Sequence, residues 1–275
     1  MNKIILGIVL ILSNIIIGME SNNNQFNILS ELNIHHPILL MHVIEEGIKS
    51  ELNSNPNPMK AILSAAKYLN DITLTNKFWY SKKAELKEKL KQFAKEKFAP
   101  EYAKLTETQA TQEMSKIIRG RGGSKDLIVK LIIAGANPNT EYNPAGIPGY
   151  KQNLLSIVIS MFEDIEPVKL LIFYDVNVNY DTPWKAISNL KNPLLRSKIA
   201  KFLIASGANV NRLNSKGLLP LDIAILDGDM DLVRILIEHG AKPDIENEKG
   251  QTPLDLATTE GNQYILALLT QKTKK

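Results

Sequence analysis

The chain has 275 residues, 44% of them apolar, so it can bury a large core in one or two domains, and a disordered chain is excluded. Its 33 lysines and arginines against 29 aspartates and glutamates leave a net charge of only +4, which gives no argument for nucleic acid as a partner. The absence of cysteine excludes disulfides, thiol nucleophiles and thiolate metal sites, and it leaves the redox compartment open.

Residues 1–18 carry Lys3 near the amino terminus, then an apolar run from Ile4 to Leu12, then further isoleucines before Gly18. The unbroken run is shorter than the roughly 20 residues that a membrane-spanning helix needs, so the segment predicts a secretory signal peptide. An anchor over residues 4–18 that is not cleaved is the alternative. We therefore expect an exported or secreted protein, with membrane attachment only in the uncleaved form, and a polar linker over residues 19–36.

Residues 37–100 predict a small helical domain. Pro37 suits the first turn of a helix on which Ile44, Ile48 and Leu52 recur at four-residue steps. A loop over residues 53–58, a second helix from Pro58, a third segment around Ile72 to Tyr80 and a last helix from Ser81 to Phe98 follow. This last helix carries seven lysines against three glutamates. A solvated helix face is the favoured interpretation, and binding of an anionic surface is the alternative.

Residues 105–269 contain an internal repeat that is clearest near the carboxyl terminus. Gly207-Ala208-Asn209 recurs as Gly240-Ala241-Lys242, and Pro220-Leu221-Asp222 recurs as Pro253-Leu254-Asp255, each pair being 33 residues apart. Self-similarity at such a period predicts stacked supersecondary units that bury their apolar faces against one another. Within one unit, Thr252 is a helix cap, and the glycines at 207 and 240 end a second helix.

This pattern resembles the ankyrin repeat, whose Thr-Pro-Leu-His-x-Ala motif it follows with Asp222 or Asp255 in the histidine place. The resemblance implies an all-α fold, an ankyrin-type helical solenoid of helix-turn-helix pairs with short finger turns. It covers two clear and about three degenerate repeats, preceded by the small helical domain and followed by a basic tail over residues 270–275.

The upstream repeats depart from the regular pair in three places. Asp175 stands where the terminal glycine is expected, in a left-handed position that is less favourable for aspartate. An enlarged finger lies between Asn139 and Leu155, and a short one precedes Trp184. Because Trp184 takes the place of Leu221 and Leu254, we expect it to be buried.

No set of residues predicts catalysis, a cofactor or a metal. His35, His36 and His42 are better explained by surface or capping roles than by metal binding. The segment from Gly120 to Lys125 lacks the spacing of a phosphate-binding loop and aligns with the turn between two helices. We therefore expect no enzyme activity and no small-molecule substrate.

Protein binding is the function that the repeats favour, because stacked helix pairs present fingers and first-helix faces that the core does not constrain. Tyr142 and Tyr150 in the enlarged finger are candidate aromatic anchors, although both could instead close their own loop. The full set of predicted contact residues is Tyr142, Ile147, Tyr150, Arg212, Asn214, Lys216, Asp222, Ile225, Leu226, Asn247, Glu248, Lys249, Asp255 and Thr258.

A second function is implied by a resemblance within residues 37–85. Pro37-Ile38-Leu39-Leu40, followed by the leucine-rich segment Leu69 to Tyr80 with Lys77 before an aromatic pair, is similar to a degenerate F-box. That resemblance implies an adaptor that docks to a host ubiquitin-ligase scaffold while the repeats hold the substrate. The acidic residue usual after the first proline is missing here, and a helical cap that simply packs is the favoured interpretation.

Overall fold

The computed structural model describes residues 37–73, 77–119, 124–142, 152–179 and 183–273, although a few side chains at the ends of helices lie outside this description. The chain divides into two compact units, residues 1–105 and residues 106–275. The predicted signal segment, His35 and His36 lie outside the described residues. Within the described ranges, no helix combines the length and apolar content that crossing a membrane requires.

The described part of the first unit, from residue 37 onward, forms helices α1 (Pro37–Ser54), α2 (Pro58–Thr73) and α3 (Lys77–Phe98), followed by a 3-10 turn at Pro100–Tyr102. The apolar stripes meet in one core, to which α1 contributes Ile44, Ile48 and Leu52. Both proline-led helices begin where the sequence predicts. The last helix begins at Lys77 and not at Ser81, because residues 77–80 contain no proline or glycine that would end a helix.

The lysines of α3 hold the first unit together. Lys89 forms an ion pair with Glu45 of α1, and Lys83 donates to Asn70 Oδ1 of α2 at 2.7 Å. Lys97 donates to the carbonyl of Leu52 at 2.7 Å, where its charge compensates the negative carboxyl end of α1. These lysines therefore have partners inside the unit, which supports the solvated-face interpretation over an anionic surface.

The second unit stacks helix pairs that we number as repeats 1–5. The pairs are α4 (Glu107–Arg119) with α5 (Lys125–Ile133), α6 (Leu154–Met161) with α7 (Glu166–Phe173), α8 (Trp184–Ser188) with α9 (Pro193–Ala205), α10 (Pro220–Leu226) with α11 (Met230–Glu238), and α12 (Pro253–Thr259) with α13 (Gln263–Thr273). The fingers between repeats are finger 1 (134–153), finger 2 (174–183), finger 3 (206–219) and finger 4 (239–252). Finger 1 contains a small antiparallel ladder of β1 (Glu141–Tyr142) and β2 (Gln152–Asn153).

Each finger starts with one residue in the left-handed conformation. Gly135, Gly207 and Gly240 have φ of 93°, 93° and 95°, and Asp175 has φ of 64° at the equivalent place. The predicted terminators are therefore confirmed, including the left-handed aspartate. The backbone N–H of the following residue bonds back into the helix, as from Ala208 to the carbonyl of Leu203 at 2.9 Å, so the chain leaves every second helix in the same direction.

A row of asparagines links successive fingers. Asn179 accepts from the N–H of Asn209 at 2.7 Å and donates to the carbonyl of Gly207 at 2.9 Å. Asn139 makes the same two bonds to Asn177 and Asp175, and Asn211 makes them to Lys242 and Gly240. One side chain thus satisfies two backbone groups of the next repeat, which fixes the spacing and rotation between neighbours.

Candidate protein-binding groove of the repeat unit

The predicted contact residues fall into three groups. Arg212, Lys216, Leu226, Glu248, Lys249, Asp255 and Thr258 are exposed, and Asn214 is half-buried. Tyr142, Asp222, Ile225 and Asn247 are buried. Ile147 and Tyr150 lie outside the described residues.

Tyr142 packs inside its own finger. Its side chain is 2% exposed, and its hydroxyl donates to the carbonyl of Asn137 at 3.2 Å. Burial raises the pKa of this hydroxyl to about 12, so the group stays neutral. The expectation that Tyr142 is an exposed anchor is therefore wrong, because its side chain is buried against residues of its own finger.

Asp222 and Asn247 form a buried link between repeats 4 and 5. Asp222 Oδ2 accepts from the N–H of Leu219 at 3.0 Å and from Asn247 Nδ2 at 3.1 Å, while Oδ1 has no hydrogen-bond partner. Burial raises the pKa of the Asp222 carboxyl, and the two bonds lower it in part. The predicted exposure of both residues is wrong because each side chain covers the other.

Asp255 occupies the place of Asp222 one repeat later and is exposed. It forms a capping box with Thr252, whose hydroxyl accepts from the Asp255 N–H at 3.1 Å and donates to Oδ2 at 2.6 Å. These bonds lower the pKa of the Asp255 carboxyl. The predicted cap at Thr252 is confirmed. The aspartate of the repeat motif is therefore a buried link to the next finger at Asp222 and part of an exposed helix cap at Asp255.

Neighbouring residues at the end of α10 differ sharply in exposure. Ile225 is 2% exposed, whereas Leu226 is 46% exposed. The predicted exposure of Ile225 is wrong because α10 is packed against α8, α11 and α12, leaving only a narrow strip free. Leu226 lies on that strip and keeps its predicted role as a contact residue.

A groove of about 440 Å³ runs across the first helices of repeats 2–4. Its lining includes Ser156 and Ser160 of α6, Lys185 of α8 and Leu226 of α10, the residues Asn189 and Asp227 that directly follow these last two helices, and Asn214 and Lys216 of finger 3. The structure thus brings three predicted residues, Asn214, Lys216 and Leu226, into one site. Sequence reasoning missed the α6 and α8 residues, although serines facing across a helix from leucines and isoleucines are a signal for a solvent-exposed strip.

The first helix of repeat 3 begins with a buried tryptophan. Trp184, the first residue of α8, is 1% exposed, so its predicted burial is confirmed. On either side of repeat 3, fingers 1 and 3 contribute Gln152 and Lys216 to the lining of the groove.

A network of polar contacts ties α8 to α10 at one side of the groove. Lys185 Nζ lies 2.5 Å from Asp227 Oδ1, and the Ser188 hydroxyl donates to Asp227 Oδ2 at 2.5 Å. Both carboxylate oxygens are thus engaged. The network holds repeats 3 and 4 together where a ligand in the groove would contact them.

A second depression over α4 is lined by polar side chains such as Glu107, Thr111 and Gln112. Thr111 accepts from the N–H of Asn137 at 2.8 Å, and Glu107 accepts from Asn137 Nδ2 at 2.9 Å. Two of its principal polar groups therefore position finger 1. The groove over repeats 2–4 is the stronger candidate because three repeats contribute to it and it contains the exposed apolar side chain of Leu226.

Antiparallel helix pairs, left-handed terminators and projecting fingers define an all-α helical solenoid of the ankyrin type. Residues 185–275 match the family model described as ankyrin repeats (3 copies), so this part of the chain consists of ankyrin repeats, as the resemblance predicts. It includes the α8, α10 and finger 3 sides of the groove. No curated protein shows significant similarity to the chain. Ankyrin repeats are generally non-enzymatic modules for protein–protein interaction.

Proposed function

We propose that this protein holds a partner protein in the groove formed by the first helices and fingers of repeats 2–4. The observation that carries the proposal is the convergence of three repeats on one strip where Leu226 and Lys216 are exposed. The packing of the helix pairs does not require these two side chains, so they are available to a partner.

Two exposed leucines provide a matched test. Leu226 lies in the groove, whereas Leu194 lies in the first turn of α9, the second helix of repeat 3, and is 63% exposed. Partners are captured from native extract with the full-length protein and quantified by mass spectrometry. We expect Leu226→Arg to lose the partners and Leu194→Arg to retain them, with equal melting temperatures. Equal retention by both folded variants would reject the groove as the binding surface.

An adaptor role is a second proposal, supported by the compact helical unit that precedes the repeats. Residues 37–98 would recruit ubiquitination machinery while the groove holds a substrate. Co-purification of a ligase scaffold subunit from host extract, lost on deletion of residues 37–98, supports this role. Failure to recover any such subunit would exclude it.

Export is a separate proposal that rests on the sequence of residues 1–18 alone. Mass spectrometry of the mature amino terminus tests it, and we expect a chain that begins after Gly18. A chain that still begins at Met1 would exclude cleavage and favour the anchored form.

A further inference from the structure

The charges that line the groove are not balanced. Lys185, Asp227 and Lys216 are the charged side chains that the described residues contribute to its lining. Both oxygens of Asp227 already have a partner, Lys185 or Ser188, so its negative charge is paired within the groove wall. The ammonium group of Lys216 is exposed and has no ion pair among the described residues. A ligand in the groove therefore meets one cation, Lys216, that has no ion pair in the described part of the chain, although the Glu248 carboxylate lies against the neighbouring Gly217.

Fingers 3 and 4 have opposite net charge, although their residues correspond one to one at an offset of 33. Finger 3 carries Arg212 and Lys216 and no acidic residue, whereas finger 4 carries Asp244, Glu246 and Glu248 against two lysines. Finger 4 packs on the far side of finger 3, where the Glu248 N–H donates to the carbonyl of Gly217 at 3.1 Å. The cationic finger is thus the one that borders the groove.

The dimensions and lining of the groove fit an extended chain. Packed helices lie about 8–10 Å apart, so three first helices span about 20 Å, which about six extended residues would cross. Ser156, Ser160 and Asn189 line that path with small polar side chains that can bond to a peptide backbone. Leu226 is the exposed large apolar side chain at the α10 end of the path.

We propose that the groove binds an extended acidic segment of the partner protein, with a carboxylate beside Lys216 and an apolar side chain against Leu226. This inference rests on the proposed function and adds the chemistry of the ligand. Exposed charge pairs contribute little affinity individually, so the cationic finger acts chiefly on partner choice and association rate. The apolar contact at Leu226 and hydrogen bonds to the peptide backbone supply most of the binding affinity.

A random peptide library of about 12 residues, panned on the immobilised full-length protein, tests the inference. Lys216 and Lys249 are 33 residues apart at the same place in successive fingers, and both are exposed, so Lys249→Glu is a matched control for Lys216→Glu. We expect the selected peptides to be acidic with at least one large apolar residue. Lys216→Glu should weaken their binding about fivefold and Lys249→Glu less than about twofold, and binding should weaken as salt is raised.

The outcomes separate this inference from the proposed function. Neutral or basic peptides that lose binding on Leu226→Ser would overturn the acidic ligand while keeping the groove. Acidic peptides that respond equally to Lys216→Glu and Lys249→Glu would also overturn it, because their contacts would lie elsewhere. No enrichment, or binding unchanged by both Lys216→Glu and Leu226→Ser, would overturn the inference and the proposed function together.

Discussion

Asp175 ends α7 in a conformation that glycine adopts in three other repeats. Its φ of 64° places a side chain where the Cβ approaches the following carbonyl, which costs roughly 1–2 kcal/mol relative to glycine. The junction between repeats 2 and 3 is therefore intrinsically weaker than its neighbours, although its asparagine bonds are intact.

We expect Asp175→Gly to stabilise the protein by about 1 kcal/mol, because it removes this backbone strain. Gly207→Asp is the reverse control. A side chain at Gly207 would have open space around its Cβ, so the cost of this substitution comes from the left-handed backbone conformation and not from a steric clash. It should destabilise by a similar amount. Urea denaturation measures both changes, and a destabilising Asp175→Gly would contradict the strain argument.

Asp222 introduces a pH dependence that its equivalent Asp255 does not share. Burial raises the pKa of Asp222 above its ordinary value of 3.8 in the folded state, so the folded protein binds the proton more tightly than the unfolded chain does. The stability associated with this group is therefore highest below pH 3.8 and falls as pH rises through the raised pKa.

Asp222→Asn should stabilise the protein at pH 7 by about 1 kcal/mol, because it removes a buried charge and keeps an oxygen for Leu219 and Asn247. The gain over the parent should shrink as pH is lowered toward 4. Asp255→Asn should destabilise the protein at pH 7, since the hydrogen bonds from Thr252 that lower the pKa of Asp255 stabilise its ionised carboxylate. Denaturation curves across this pH range check both signs, and a pH-independent gain at Asp222 would exclude the desolvation account.

At the scale of elements, the asparagine bridges are the connectors between repeats. Asn179 makes two hydrogen bonds to the next finger, and Asn139 and Asn211 do the same at two other junctions. Asp244 occupies the equivalent place in finger 4 and is exposed. Because stability in a solenoid is a sum of repeat and interface contributions, weakening one bridge should weaken one interface.

Asn179→Ala should destabilise the protein by about 1–2 kcal/mol and broaden its unfolding transition, since it removes both side-chain hydrogen bonds from finger 2 to finger 3. Asp244→Ala is the matched control and should change stability by less than about 0.5 kcal/mol. Thermal denaturation followed by circular dichroism gives both values. A loss at Asp244 as large as that at Asn179 would argue against the bridge.

The sequence predicts most elements because their boundaries carry local signals. Prolines at 37, 58 and 193 begin helices, and the left-handed terminators end them. Burial within a helix was harder to predict, because α10 contacts neighbours on three sides and a shift of one residue separates buried Ile225 from exposed Leu226. Exposure there depends on adjacent repeats, which a 33-residue period does not encode.

At the scale of the whole repeat unit, three repeats together form the groove. The sequence predicts Asn214, Lys216 and Leu226 as contact residues, and the structure adds the serines of α6 and Lys185, which required the lateral contacts between α6, α8 and α10. Those contacts join residues that are far apart in the chain.

Site-specific photo-cross-linking is the most direct measurement of the central claim that the groove holds the partner. Benzoylphenylalanine is placed in the full-length protein at Leu226 or at Leu194, and cross-linked products from native extract are identified by mass spectrometry. The proposed groove predicts that partner peptides are attached at Leu226 and are absent at Leu194. Cross-links from Leu194 with none from Leu226 would contradict it.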